Sequence, residues 1–361
     1  MMRLRTSSDI PSVADAWEEL AERLGGSPFV RPAHVDIHRR AFGGGRLRVV
    51  LAERDGDLVG VLPLHEVRGT WRTVTNWHTP ASQLLLADDE AVAGMVWLLS
   101  RRAPARTELR FVPDEDRDRL QRAAVHVGRA QLRDRILERS PYVRVEGGDF
   151  DAYHQQLRTR FRSELRRRRR RLAEHGEVRV VVHDGSRNLD GLLARAFALE
   201  ASGWKLDTGT AIVTDPPARN YYTGLARWAA SQGWLVLAFL EAGGTAIAVD
   251  VCIEQHGRHH LLKTGYDPAW HRYAPGQLLR EEMIRRAFDH RLSSYEFGGR
   301  NDEYKREWTD LTRNWNVVNL HPATLAGRTS LLLQERVRPR AKRLMAAARE
   351  LRAAVRSDRA A

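Results

Sequence analysis

Residues 262–280 read LKTGYDPAWHRYAPGQLLR, and what they form decides the fold around them. HHLLKTGYD alternates as a strand, a short loop carries Tyr273-Ala274-Pro275-Gly276, and QLLREEMIRRAF has helical spacing. A strand–loop–helix junction leaves unpaired backbone N–H groups at the helix start, where the dipole favours an anion. Pro275 suits the start of a helix, Gly276 lets the backbone approach a phosphate, and Arg272 adds a charge that can pair with one. The same residues also fit an ordinary capped helix.

Upstream of this junction, WLVLAFL, TAIAVDVCIEQ and HHLLKTGYD are separated by turns at Ala242-Gly243-Gly244 and His256-Gly257-Arg258, a three-stranded meander. Before the meander lie a basic helix (150–175) with Tyr153, Leu157, Phe161, Leu165 and Leu172 on one stripe, the strand EVRVVVH, and helices near 189–197 and 219–232. After it come a helix at 276–291, the strand SYEFGG, a polar segment and the strand NWNVVNL. The first half repeats that order. Helices at Val13–Leu24 and Val35–Phe42 precede a hairpin across Asp55-Gly56 and a third strand near Thr70–Trp77. A helix (89–102), TELRFV, a helix (115–127) and YVRVE follow. The expectation is an α+β chain with two copies of one fold, each a mixed sheet flanked by helices. The copies would be 1–146 and 150–324, divided at Glu146-Gly147-Gly148-Asp149. Residues 325–361 would form a basic helical tail, with Leu333, Val337, Leu344, Leu351 and Val355 near heptad spacing and Pro339 interrupting.

Composition narrows the function. The 361 residues are 42% apolar and 29% charged, as in soluble globular chains of about two domains. Cys252 is the only cysteine, so a disulfide framework and a cysteine-rich zinc site are excluded. His259 and His260 are adjacent on a strand and point to opposite faces, so no metal is expected. No apolar leader and no run of 18 apolar residues is present, which makes cytoplasm the expected compartment. The net charge of +13 is concentrated. Residues 158–175 carry nine Arg against Glu164 and Glu174, and residues 328–361 carry ten basic residues against three acidic ones. Of the 59 basic residues only Lys205, Lys263, Lys305 and Lys342 are lysines, so a single Arg says little and each Lys says more.

GYDPAWHRYAPGQLL resembles the acetyl-CoA loop of the GNAT superfamily, in its cellulose-biosynthesis-type (CelD/BcsL-like) acetyltransferase branch, which is related to the Fem-type aminoacyl transferases. FRSELRRRRRRLAEHGEV, LEASGWKLDTGTAI and YEFGGRNDEYKREW fit the same branch in the expected order, covering most of 158–310. The resemblance implies tandem GNAT-like domains, each with a twisted sheet, and a cofactor-binding second copy split open where the donor enters. The first copy looks degenerate, because its matching junction TPASQLLLADDEA lacks a Gly-rich turn. Acetyl-CoA or another acyl-CoA would be the donor. Its thioester would lie along Leu262, Lys263, Thr264 and Gly265, and its pyrophosphate against Arg272, Tyr273, Ala274, Pro275, Gly276 and Gln277.

Acyl transfer needs a base for the acceptor and an acid for the leaving thiolate. Asp250 is the candidate base. It shares a strand face with Ala248, Cys252 and Glu254, where a carboxylate either lines a cleft or pairs with a buried cation. Tyr304 and Lys305 match the family's tyrosine–lysine pair, as candidate acid and substrate-binding charge; the alternative for Lys305 is an ion pair with Asp302 or Glu303. Trp204 and Lys205 match its Gly-Trp-Lys segment on the acceptor side. The expected reaction is N- or O-acyl transfer to a sugar, a polysaccharide precursor or an amine. One alternative is a Fem-type enzyme using aminoacyl-tRNA, its RNA against Arg166–Arg171; another is a non-catalytic basic protein. An anionic membrane surface is a further possible partner for the tail. No recognised DNA-binding module is present.

Overall fold

The computed structural model describes residues 1–79, 83–202 and 212–337. The first half contains β1 (Met2–Ser7), α1 (Ala14–Arg23), α2 (Pro32–Phe42), β2 (Arg46–Arg54), β3 (Asp57–Val67), β4 (Thr70–Thr73) and β5 (Leu85–Leu86). It continues with α3 (Asp89–Arg102), β6 (Arg106–Pro113), α4 (Asp114–Val127) and β7 (Ala130–Arg144). The second half contains α5 (Phe150–Gln156), α6 (Thr159–Ala173), β8 (Val178–His183), α7 (Leu189–Ala201), α8 (Pro216–Ser231), β9 (Leu235–Ala242), β10 (Thr245–Gln255) and β11 (Arg258–Tyr266). Then come α9 (Pro275–Asp289), β12 (Ser294–Glu296), α10 (Glu303–Arg306), β13 (Thr312–Pro322) and α11 (Leu325–Leu332). The expected order of elements is present, in one mixed sheet flanked by helices, so the chain is α+β.

The strands run β1-β2-β3-β4-β6-β13-β7-β12-β11-β10-β9-β8, with β5 on β3. In each half an antiparallel meander ends in one parallel pairing, β4 with β6 and β11 with β12. The centre is exchanged. β13, from the second half, pairs with β6 of the first, while β7, from the first, pairs with β12 of the second, and the two cross side by side. Each half therefore borrows the other's last strand to cover its own open edge.

Helices pack on both faces, which is why β9 and β10 are almost continuously apolar rather than alternating. On one face of β8–β12, Phe161 and Leu165 of α6 and Leu278, Met283 and Ile284 of α9 pack against Ala238, Ala248 and Cys252. On the other, Phe197 of α7 and Tyr221 and Leu225 of α8 pack against Phe239, Val249 and Val251. The halves meet where α2 lies on α8, and His34 Nε2 lies 2.9 Å from the Tyr221 hydroxyl. Asp215 caps α8 through the Ala218 N–H, with Pro216 next to it, as helix-start chemistry requires.

Three elements differ from expectation. β1, paired with β2 ahead of the first helix, was not among the expected strands. β7 begins at Ala130, twelve residues before the expected YVRVE, because its charged residues hide a strand inside the sheet. The basic helix divides at Leu157, whose extended backbone (ψ 152°) separates α5 from α6. Only the first part of the expected tail helix, as α11, lies within the described residues.

Candidate active site

The site begins with a break in β11. Val251 pairs with Lys263 and Cys252 with Leu261, so Leu262 is an extra, bulged residue left out of the ladder. Toward β12, the parallel pairing covers only Arg258–His260, opposite Ser294–Glu296. From Leu262 onward the strand edge facing β12 is open. Gly265 is needed here, because a Cβ would lie 2.4 Å from the Glu200 Cα of α7. Leu262, Lys263, Thr264 and Gly265 thus lie on the stretch of β11 beyond its pairing with β12.

The open edge runs into α9. A 3-10 turn, Pro268–Tyr273, places Ala274 in the left-handed region (φ 48°), from which the helix starts at Pro275. The Tyr273 hydroxyl lies 2.5 Å from His175 Nε2 at the end of α6, which ties the loop to the basic helix. Arg272 is exposed, with its guanidinium 4.7 Å from the Tyr273 ring centre. A Cβ on Gly276 would meet only Tyr266 Cδ1, at 3.9 Å, so the helix start is open to a bulky anion. Gln277 accepts from Trp308 Nε1 (2.7 Å) and donates to the Tyr304 carbonyl (3.3 Å). It couples the helix start to the segment carrying Tyr304.

The candidate catalytic groups meet around a residue the sequence did not single out, Arg280. It is 2% exposed and pairs with Asp250, itself fully buried, at 2.9 Å. It also donates to the Tyr295 hydroxyl (2.5 Å) and to Thr264 Oγ1 (3.4 Å). Of the two readings open for Asp250, pairing with a buried cation is the one observed. Tyr304 is 40% exposed. Burial of its hydroxyl pushes the pKa up to about 12, opposed by Arg280 and helped by Asp302 and Asp250, so it carries its proton at neutral pH.

Lys305 makes the ion pair with Asp302 that was its alternative reading. It is buried, and Nζ donates to the Gly298 and Arg300 carbonyls (2.8 Å each) and pairs with Asp302 (3.1 Å). Burial lowers its pKa, with Asp302 opposing. The ammonium ties down the Gly298–Asp302 loop, and three oxygens already occupy it. Lys263 points to the α7–α8 face, 3.9 Å from Glu200 and 5.2 Å from the ring centre of Tyr222. Trp204 and Lys205 lie outside the described residues. Among the described residues no cluster of His, Cys, Asp and Glu could hold a metal ion, and no helix is long and apolar enough to cross a membrane.

The basic helix meets the site from outside. Arg166, Arg167, Arg170 and Arg171 of α6 are exposed, whereas Arg168 pairs with Glu164 and Arg169 with Glu281 and Glu282.

With this geometry in place, comparison with known proteins gives a domain match and a fold. Residues 159–306 match the acetyltransferase (GNAT) domain family. No curated protein matches the chain. Among solved structures, FemX is 11% identical with a TM-score of 0.60, over 92% of this chain and 100% of that one. The C-terminal domain of a putative lysylphosphatidylglycerol synthetase from Agrobacterium fabrum is 12% identical with a TM-score of 0.56, over 90% and 95%. A conserved protein of unknown function from Bacteroides thetaiotaomicron VPI-5482 is 10% identical with a TM-score of 0.56, over 88% and 100%. At such identities these structures share the fold. The matched segment runs from α6 to α10 and contains the bulged strand, the loop and Tyr304, so the likeness to an acetyltransferase (GNAT) domain covers the candidate site and supports an acyltransferase.

Proposed function

We propose that the second half transfers an acyl group, most simply acetyl, from acyl-CoA to a hydroxyl or amine of a small polar acceptor such as a sugar or a polysaccharide precursor. One observation carries this reading. The strand edge opened by the Leu262 bulge leads directly to an uncovered helix start at Pro275–Gly276. A thioester along Leu262–Gly265 would meet backbone N–H groups of the strand, and its pyrophosphate would meet the helix dipole and Arg272. Tyr304, protonated at neutral pH, would supply the proton for the departing thiolate. On this reading the first half is a degenerate copy of the same fold that shapes the acceptor side, and the chain falls in the cellulose-biosynthesis-type branch it resembles.

The test is acetyl-CoA binding by calorimetry to the full chain and to Gly276→Trp. The open space beside Gly276 lets the variant fold, so saturable binding in the wild type and none in the variant is expected. Equal binding by both would sink the loop assignment. A second reading, an aminoacyl-tRNA donor, is favoured by the likeness to FemX and the exposed Arg166, Arg167, Arg170 and Arg171. Salt-sensitive tRNA binding without CoA affinity would select it.

A further inference from the structure

The segment after β4 touches both halves. Trp77 is exposed, packs edge-on against Phe111, and has Arg110 and Arg300 within 6 Å of its ring centre. Arg300 belongs to the loop after β12, so this segment spans the seam between the halves. The next residue is His78. Its ring stacks on Phe42 (centres 5.2 Å apart, 10° between planes), and its backbone N–H donates to Asn76 Oδ1 (2.8 Å). Nδ1 lies 3.1 Å from the Tyr222 hydroxyl of α8, while Nε2 has no hydrogen-bond partner among the described residues. Lys263, the residue after the bulge, lies 5.2 Å from the Tyr222 ring centre. Tyr222 thus touches both the half-buried imidazole and the strand that carries the bulge.

We propose that His78 is the proton acceptor of the transfer reaction, contributed by the first half across the seam. The inference rests on the acyl-CoA reading above. With Nδ1–H donating to the Tyr222 oxygen, the lone pair on Nε2 faces outward. Nε2 removes the proton from the acceptor's O–H or N–H as that atom bonds to the acyl carbon. The C–S bond then breaks, its electron pair leaves with sulfur, and the thiolate takes up a proton from Tyr304. His78 then gives its proton to solvent and Tyr304 takes one from it, so both groups are restored and acyl thioester and acceptor become acylated acceptor and free thiol. The charged and titratable groups facing the imidazole are Lys263 of β11, Glu200 of α7, Asp215 capping α8, Tyr221 and Tyr222 of α8, and His38 of α2. Burial and then Lys263 lower its pKa, with Asp215 and Glu200 opposing, so it is neutral and able to accept a proton at pH 7.

The experiment follows thiol release from acetyl-CoA by the full chain at pH 7, with glucosamine, with water alone and with hydroxylamine as acceptors. Hydroxylamine is unprotonated at this pH and needs little help from a base. His78→Gln should lower turnover with glucosamine and water about 100- to 1,000-fold, but with hydroxylamine only about threefold, at unchanged acetyl-CoA affinity. Tyr222→Phe keeps the ring packing and removes only the group that orients Nδ1, so a smaller loss in the same acceptor order is expected. The wild-type rate should rise with pH through a midpoint below 6.5, a limb absent from His78→Gln. Turnover in His78→Gln close to wild type, or an equal fall with every acceptor, overturns the inference and leaves the donor reading intact. A wild-type chain that neither binds acetyl-CoA nor releases thiol overturns both.

Discussion

Asp250→Ala should destabilise the second half severely, and restoring stability should require removing a second charge. Arg280 is 2% exposed, and its remaining partners, the Tyr295 hydroxyl and Thr264, are neutral. Without Asp250 a guanidinium is left buried and uncompensated, which costs about 3–5 kcal/mol. Arg280→Met alone strands the carboxylate at a similar cost. In Asp250→Ala/Arg280→Met both charges are gone and the Met joins Cys252, Leu279 and Met283 in an apolar cluster, so the double variant should lie within about 2 kcal/mol of wild type. Urea unfolding, followed by intrinsic tryptophan fluorescence, to which buried Trp308 contributes, measures all four corners of the cycle. A double variant whose loss equals the sum of the single losses, within about 0.5 kcal/mol, would refute the pairing argument. Asp250→Asn adds a second reading: folded protein that binds acetyl-CoA but transfers nothing would return Asp250 to the role of base.

The seam between the halves should be acid-labile. Burial lowers the pKa of His34 to about 3, of His38 to about 4 and of His260 to about 3, so between these values and about 6.5 the unfolded chain binds protons that the folded chain does not. Their stabilisation is complete above about pH 6.5 and falls by about 1.4 kcal/mol per unit per histidine as the pH drops toward 4. Urea midpoints from pH 7 to 4.5 should show this slope, and His34→Gln/His38→Gln should flatten it; a flat wild-type profile contradicts the assignment. Lys305→Met leaves the Gly298 and Arg300 carbonyls without their donor, for a loss of about 1–3 kcal/mol. Amide exchange should accelerate at 298–302 and stay unchanged in β9 and β10; protection equal to wild type would mean the loop holds itself.

The meander was legible because apolar strands were punctuated by Gly turns, and the junction at 273–276 because Pro and Gly have positional meaning at a helix start. The parity of β10, which puts Asp250 with Ala248 and Cys252, could also be read, but its partner could not. Arg280 is one arginine among dozens, and nothing local marks it as the buried cation. Lys305 was conspicuous by rarity, yet rarity does not distinguish a ligand-binding ammonium from one that three backbone and carboxylate oxygens already fill. His78 sits in an irregular stretch of the half that looked inert, and only the packing of α2 on α8 brings it to the other half. The strand exchange left no trace in periodicity, since pairing partners some 180 residues apart are set by topology rather than by local pattern.

That exchange also imposes an order on synthesis. β7 is complete at Arg144, but its neighbours β12 and β13 end at Glu296 and Pro322. At roughly 5–20 residues per second, a nascent chain carries β7 as an unsatisfied edge for on the order of ten to forty seconds. Arg133, Asp134, Arg135, Glu138 and Arg139 make that edge unattractive to other nascent chains, as charged edge strands do in finished proteins. The charges that disguised β7 as a loop are thus the ones that let it wait on the ribosome for its partner.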